Sequence, residues 1–285
     1  MTIRKAIIPA AGFGTRFLPA TKALPKEMLT VIDKPLIQWT VEEAVGSGLD
    51  KIGIVTSRGK SVFEDHFDRS PELEGFLQEK GKLDLLDVIQ RISRLAEFAY
   101  IRQPQALGLG HAILLGETFV AGEPFAALTP DDIYDCRPPC IRQLLDVFLE
   151  KKATIIVLGR IDAEGTKKYG VIKPKQVSDR VFQVLDMAEK PGPEKAFSDL
   201  GILGRYVFTP EIFEAIKNTP PDHRGEIQIT DAIRVLLSSQ PVYGVLFEGK
   251  RYDCGDKFGF LEATVNLALQ RPEFRDRLRE LLKSV

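Results

Sequence analysis

The chain has 285 residues, of which 44% are hydrophobic and 28% charged, and its formal net charge is −1. That balance excludes a nucleic-acid binder, which carries a basic excess, and no apolar run is long enough to span a bilayer. Three cysteines, Cys136, Cys140 and Cys254, are too few for a disulfide framework and point to a reducing, cytoplasmic setting. A strand signal already begins by Lys5, leaving no room for a secretory leader.

Strand and helix signals alternate through the first half. Strands are expected at residues 6–10, 51–56, 98–101, 125–128 and 153–158. Between them lie helices at 35–46, 61–67, 71–95 with a break at Gly81, 109–119 and 140–151. Such alternation predicts a mostly parallel sheet covered by helices on both faces, and uninterrupted apolar strands suit burial on both sides. The second half differs. Strands at 169–172, 181–187 and 203–208 are joined by Gly- and Pro-containing loops without long helices, which reads as an antiparallel or mixed extension of the same sheet. Short helices follow at 210–218 and 228–237, then a strand at 242–247. Asp256 caps a helix running to about Gln270, and Pro272 opens a last, charged helix. No repeat or linker interrupts this order. The expectation is one catalytic domain over 1–270 with a C-terminal helix over 271–285 as a possible oligomer contact.

The most informative stretch is Ile7-Ile8-Pro9-Ala10-Ala11-Gly12-Phe13-Gly14-Thr15-Arg16, followed by Lys22 and Lys26. A strand ending in a glycine turn presents backbone N–H groups at the carboxyl edge of a sheet, and glycine lets that backbone approach a phosphate closely. Arg16 adds a planar fork of donors for phosphate oxygens. The stretch is not a P-loop, because no Lys-Ser/Thr pair follows the glycines. It is not a dinucleotide fingerprint either, since Phe17 stands where the third glycine belongs. From the two glycines alone, an ordinary strand-to-helix turn competes with a polyphosphate cradle; Arg16 and Lys26 favour the cradle.

Four further groups lie at expected strand ends, where open α/β sheets bind ligands. Gln103 with Gly108-Leu109-Gly110-His111 can receive a flat base, or can be a tight turn with a structural glutamine. His111 suits a packing or capping role better than an acid–base one. Asp131-Asp132 after Pro130 suits Mg²⁺, which takes one or two carboxylates plus substrate phosphates, although Asx residues also simply make turns. Asp253 is a second strand-end acid, and two such acids around a phosphate loop favour the metal reading. Glu189-Lys190 follows another apolar strand and could equally be an exposed ion pair. Cys136 and Cys140 lack the His or Cys partners of a zinc site.

With these residues in place, the chain resembles the sugar-1-phosphate nucleotidyltransferases, and within them the uridylyl-transferring branch. The resemblance is carried by Ala10-Ala11-Gly12-Phe13-Gly14-Thr15-Arg16, Pro25-Lys26-Glu27-Met28-Leu29, Gly108-Leu109-Gly110-His111-Ala112, Pro130-Asp131-Asp132, Tyr169-Gly170-Val171, Glu189-Lys190-Pro191, Gly204-Arg205-Tyr206 and Asp253-Cys254-Gly255. Thr129, where a leucine is usual, and Leu107, where a lysine is frequent, depart from the pattern. The resemblance implies a Rossmann-like α/β fold with a sugar-binding β extension. It implies transfer of the uridylyl group of UTP to glucose 1-phosphate with Mg²⁺, the alternative being thymidylyl transfer from dTTP. It further implies a homo-oligomer, a dimer or tetramer. Ala11, Gly12 and Gly14 would cradle the nucleotide, with Gln103 and Gly108 on uracil. Arg16 and Lys26 would hold the β- and γ-phosphates, and Lys190 the sugar phosphate. Asp132, Gly170, Glu189 and Gly204 would line the glucose pocket, and Asp131 and Asp253 would bind the metal.

Overall fold

A computed structural model describes residues 2–284. The strands are β1 (Lys5–Pro9), β2 (Thr30–Val31), β3 (Lys34–Pro35), β4 (Lys51–Thr56), β5 (Glu97–Arg102), β6 (Phe125–Leu128), β7 (Asp132–Asp135), β8 (Thr154–Arg160), β9 (Val171–Gln176), β10 (Val181–Ala188), β11 (Leu200–Phe208), β12 (Val242–Leu246) and β13 (Lys250–Asp253). The helices are α1 (Leu36–Gly46), α2 (Val62–Phe67), α3 (Pro71–Glu79), α4 (Leu83–Ile92), α5 (Gly108–Leu114), α6 (Glu117–Val120), α7 (Cys140–Lys151), α8 (Ile212–Lys217), α9 (Ile229–Leu236), α10 (Lys257–Gln270) and α11 (Pro272–Ser284).

Nine strands form one mixed sheet in the order β5-β4-β1-β6-β11-β8-β12-β10-β9. The first four are parallel to one another. β11 then enters antiparallel between β6 and β8, so the fifth strand expected from the sequence does not lie beside the fourth. Beyond it β8 and β12 are parallel, while β10 is antiparallel to both β12 and β9, which is the anticipated extension of the same sheet. The helix expected over 109–119 divides into α5 and α6 at Gly116. A Cβ at that glycine would run into Ile7 of β1, so the chain passes close against the sheet there.

Alternate residues of each central strand serve opposite faces. Ile7, Ala127, Ile156 and Leu158 join one apolar layer, which Ile113 of α5, Ile212 and Ile216 of α8 and Ile233 of α9 close. Ala6, Ile8, Ala126, Leu128, Ile155 and Val157 join the other, beneath Ile37, Val41 and Ala44 of α1, Phe63 of α2 and Leu144 of α7. Each fully buried aliphatic side chain contributes about 1.5–3 kcal/mol, so the two layers fix the sheet firmly enough to aim the loops at its edge.

A two-residue hairpin, β2–β3, was not apparent in the sequence; it turns at Ile32, whose φ is 65°. Pro35 consequently sits just before α1 as its N-cap. A second small ribbon, β7–β13, was also missed. Its register sets Asp253 opposite Asp132. Ile133 and Tyr252 of the ribbon, with Cys254 just after it, join one apolar cluster with Val31, Leu36 and, from α10, Ala263 and Leu267. Asp256 starts α10 as expected, its carboxylate accepting from the N–H groups of Phe258 and Gly259. Arg271 then ties the end of α10 to Asp33 through two hydrogen bonds of 2.7 and 2.6 Å.

Candidate active site

Two adjoining cavities open at the carboxyl end of the parallel strands. The smaller, about 310 Å³, is lined by Ala11, Gly12, Phe13, Lys26, Gln103, Gly108 and Asp131, among others. The larger, about 610 Å³, is lined by Arg16, Asp131, Asp132, Gly170, Glu189, Lys190, Gly204 and Asp253 together with residues not anticipated. The expected nucleotide set, apart from Arg16 and Gly14, falls in the first, and the expected sugar set in the second. Thr129, Asp131, Leu109 and Glu226 border both.

The glycine loop leaves β1 after Ala10, whose N–H closes the ladder to Val55. Among the described residues, the N–H groups of Ala11, Gly12, Phe13 and Gly14 then find no protein acceptor. Gly14 has φ 65° and packs on the Lys26 side chain, which brings the loop and the lysine turn together. The Gly108–Gly110 turn is held by a two-bond latch, Gly110 N to Ile227 O at 2.9 Å and Ile227 N to Leu107 O at 2.8 Å. A Cβ at Gly108 or Gly110 would sit within 3.0 Å of the Ile227 backbone, so glycine is required there. Leu107 thus contributes through its carbonyl. Gln103 is buried, and its Nε2 lies 2.9 Å from His111 Nδ1 and 3.4 Å from Gly108 O. Its amide supports the turn from beneath, and burial lowers the pKa of His111.

Lys26 Nζ donates to Asp131 Oδ2 at 2.6 Å. Burial on its own would raise the Asp131 carboxyl, but Lys26 and then Arg16 outweigh it and bring the group down to about 2. Asp253 is fixed from two sides: its Oδ2 accepts from Tyr169 Oη at 2.5 Å, and its Oδ1 from Gly255 N at 3.1 Å. The position a Cβ would take at Gly255 is 2.9 Å from Asp131 Oδ2, 3.1 Å from Asp253 Oδ1 and 3.4 Å from Arg16 Nη1. Two ionisable carboxylates and one guanidinium therefore surround a single small space that only a glycine leaves open. Hard oxygen donors, two in number, beside the cationic side chains of Arg16 and Lys26 are of the kind that fit Mg²⁺.

Asp132 lines the larger cavity, but both its oxygens are committed. Oδ1 accepts from Arg251 Nε at 2.7 Å, and Oδ2 from Thr129 Oγ1 at 2.9 Å. Burial pushes this carboxyl up to about 6 despite Arg251. Gly204 has φ 76°, and a Cβ there would collide with Thr129 Oγ1 and come within 2.8 Å of Asp132 Oδ2. Gly170 is likewise closed against Thr230. Glu189 accepts from Thr230 Oγ1 at 2.7 Å and pairs with Lys190 at 2.8 Å. Lys190 has φ 46°, a left-handed backbone uncommon outside glycine, of the kind that concentrates at functional sites.

Sequence reasoning missed three supports. Arg251 bridges Asp132, Tyr169 Oη at 3.0 Å and, at 3.7 Å, Asp253. It was passed over because it precedes the more conspicuous Asp253 by two residues. Arg205 has no solvent exposure. It pairs with Glu43 at 2.8 Å and donates to the carbonyls of Thr129 at 2.6 Å and Asp132 at 2.9 Å, gripping both ends of the acidic turn. Lys60 lies under the glycine loop, and no local pattern announces it.

The nucleotidyl transferase family matches residues 5–270. UTP–glucose-1-phosphate uridylyltransferase of Bacillus subtilis (strain 168) is 51% identical over 97% of this chain and 94% of its own length. A protein named UTP–glucose-1-phosphate uridylyltransferase 2 from Staphylococcus saprophyticus is 47% identical over 99% of this chain and 98% of its own length. A crystal structure of UDP-glucose pyrophosphorylase complexed with UDP-glucose superposes with a TM-score of 0.87 at 42% identity, over 95% of this chain and 100% of that one. A UTP-bound UGPase from Acinetobacter baumannii gives 0.92 at 36% identity over 100% of both chains. The cradle of free backbone donors, the paired acids and these likenesses over nearly the whole chain agree: the chain belongs to the nucleotidyl transferase family.

Proposed function

We propose that the chain transfers the uridylyl group of UTP to glucose 1-phosphate, releasing pyrophosphate and UDP-glucose. The observation that carries this reading is the convergence of Arg16, Lys26, Asp131 and Asp253 where the two cavities meet. Relatives named for this reaction match along almost the full chain. The nucleotide occupies the smaller cavity, with its phosphates along the glycine loop toward Arg16 and Lys26. The sugar phosphate enters the larger cavity, with its phosphate on Lys190 and its hydroxyls toward Glu189, Gly170 and Gly204.

The sugar phosphate is already ionised and needs no general base. One of its oxygens attacks the α-phosphorus of UTP in line, and the bond to the pyrophosphate leaving group breaks. Phosphoryl-type transfer depends mainly on positioning and charge neutralisation. Arg16 and Lys26 supply fixed positive charge, the free N–H groups of the loop supply donors, and Arg251 with Tyr169 holds Asp253 in place. Asp131 and Asp253 would hold Mg²⁺, which adds charge neutralisation at the phosphates when bound.

The two lysines divide the substrates between them, which gives the test. Lys190→Ala raises the KM for glucose 1-phosphate about 10- to 100-fold, the loss of hydrogen bonds to a charged group. Lys26→Ala damages the use of UTP instead. Calorimetry giving normal glucose 1-phosphate affinity for the Lys190 variant refutes the assignment.

We further propose that the enzyme works in the cytoplasm as a homo-oligomer, with 1–270 as its catalytic domain. Among the described residues no helix is long and apolar enough to cross a membrane. α11 packs along α10, yet Phe274, Leu281 and Leu282 keep 39, 58 and 51% of their surface exposed. Val285, the end of the expected helical segment, lies outside the described residues. Truncation after Gln270 lowers the particle mass in light scattering and leaves the site residues intact. Equal masses for full-length and truncated protein place any subunit contact elsewhere.

A further inference from the structure

Lys60 lines neither cavity. It stands between β4 and α2, yet its ammonium ends beneath the glycine loop. Nζ donates to Ala10 O at 2.6 Å, to Gly12 O at 2.7 Å and to Glu27 Oε2 at 3.3 Å. An ammonium has three N–H bonds, and here three acceptors surround it. The Lys60 side chain is 11% exposed and that of Glu27 1%. Burial lowers the Lys60 pKa and raises that of Glu27, each against the pull of its partner.

A buried ion pair is weak evidence of stabilisation, since apolar residues of similar volume often serve as well. The acceptors of this lysine say more. In a trans peptide the C=O and the next residue's N–H point in opposite directions. Drawing the carbonyls of Ala10 and Gly12 down onto one ammonium turns the N–H groups of Ala11 and Phe13 the other way. Both residues line the smaller cavity. Neither N–H has an acceptor among the described residues. Through Glu27, the same ammonium also ties the loop to the short turn Lys26–Met28, which carries the lysine paired with Asp131.

We propose that Lys60 is a positioning residue for the nucleoside triphosphate: by fixing the Ala10 and Gly12 carbonyls it presents the loop's N–H groups to the phosphates and sets their distance from Lys26. The inference rests on the functional reading above, with UTP in the smaller cavity. Preorganised donors bind better because their ordering is complete before the ligand arrives. Without the lysine the two peptide planes can rotate, and the donors must be ordered by the ligand itself.

The test is calorimetry of UTP in Mg²⁺ buffer, and of glucose 1-phosphate separately, on full-length wild type, Lys60→Met and Lys60→Arg. Methionine keeps the length of the side chain and removes the donors. It raises the Kd of UTP at least about tenfold, the weight of one lost hydrogen bond from a charged group. Glucose 1-phosphate affinity stays within about twofold, as for a distant, independent site. Lys60→Arg keeps the charge, but its planar fork cannot converge on three acceptors as an ammonium does. Its UTP affinity falls between the other two, and it carries the test alone if Lys60→Met does not fold. A lower Tm with UTP affinity unchanged in the folded variants overturns the proposal, because Lys60 is then a core tie only. Wild type that fails to bind UTP overturns the functional reading, and this inference with it.

Discussion

Asp131→Asn and Asp253→Asn each lower kcat by at least about a hundredfold, on the scale of a lost electrostatic contact to the reacting phosphates. The two acids reach the same space from different elements, one from the turn after β6 and one from the end of β13. Asparagine keeps the shape of each side chain and removes the charge. In Asp131→Asn the lysine that held the carboxylate down at about 2 also loses its charged partner, so the half-buried Lys26 is left beside Glu27 and Arg16. In Asp253→Asn the amide oxygen can keep the Gly255 N–H, while the bond accepted from Tyr169 is lost because the amide NH2 only donates. Steady-state kinetics with saturating substrates checks both. Turnover near wild type in the presence of EDTA defeats the metal reading.

Arg205→Met destabilises the protein by about 3–5 kcal/mol, the cost of leaving a buried charge without its partner. Glu43 on α1 would remain as that charge, at 8% side-chain exposure. The carbonyls of Thr129 and Asp132 lose their donors at the same time. In thermal denaturation this lowers Tm by on the order of 10 °C. The double variant Arg205→Met with Glu43→Met recovers only part of the loss: no unpaired charge stays behind, but the Thr129 and Asp132 carbonyls and the Ile141 N–H stay without partners. A single variant as stable as wild type shows that the clamp is dispensable.

The sequence disclosed what is local and hid what is distant. The Ala10-to-Arg16 run announced a phosphate loop because its glycines, its arginine and the strand before it are contiguous. Asp131 and Asp253 were visible as strand-end acids for the same reason. That they meet depends on the β7–β13 ribbon, whose strands are 4 residues each and are separated by more than a hundred positions of chain. No periodicity over so short a length distinguishes a strand from a turn. Asp132 was read as a sugar-pocket acid, and the structure adds that Arg251 and Thr129 occupy both its oxygens. Lys60 is 50 residues from Ala10, and only the parallel pairing of β1 with β4 brings the two together. The antiparallel or mixed sense of β11 is legible in the sequence, but its insertion between β6 and β8 is not. Its apolar run Leu200–Phe208, buried throughout, is compatible with a central strand of either direction.

Pyrophosphate release with glucose 1-phosphate, measured across UTP, dTTP, CTP, ATP and GTP, tests the central claim most directly. The account predicts release with UTP well above that with every other nucleotide, dependent on glucose 1-phosphate and abolished by EDTA. A preference for dTTP, or release from UTP without the sugar phosphate, contradicts it.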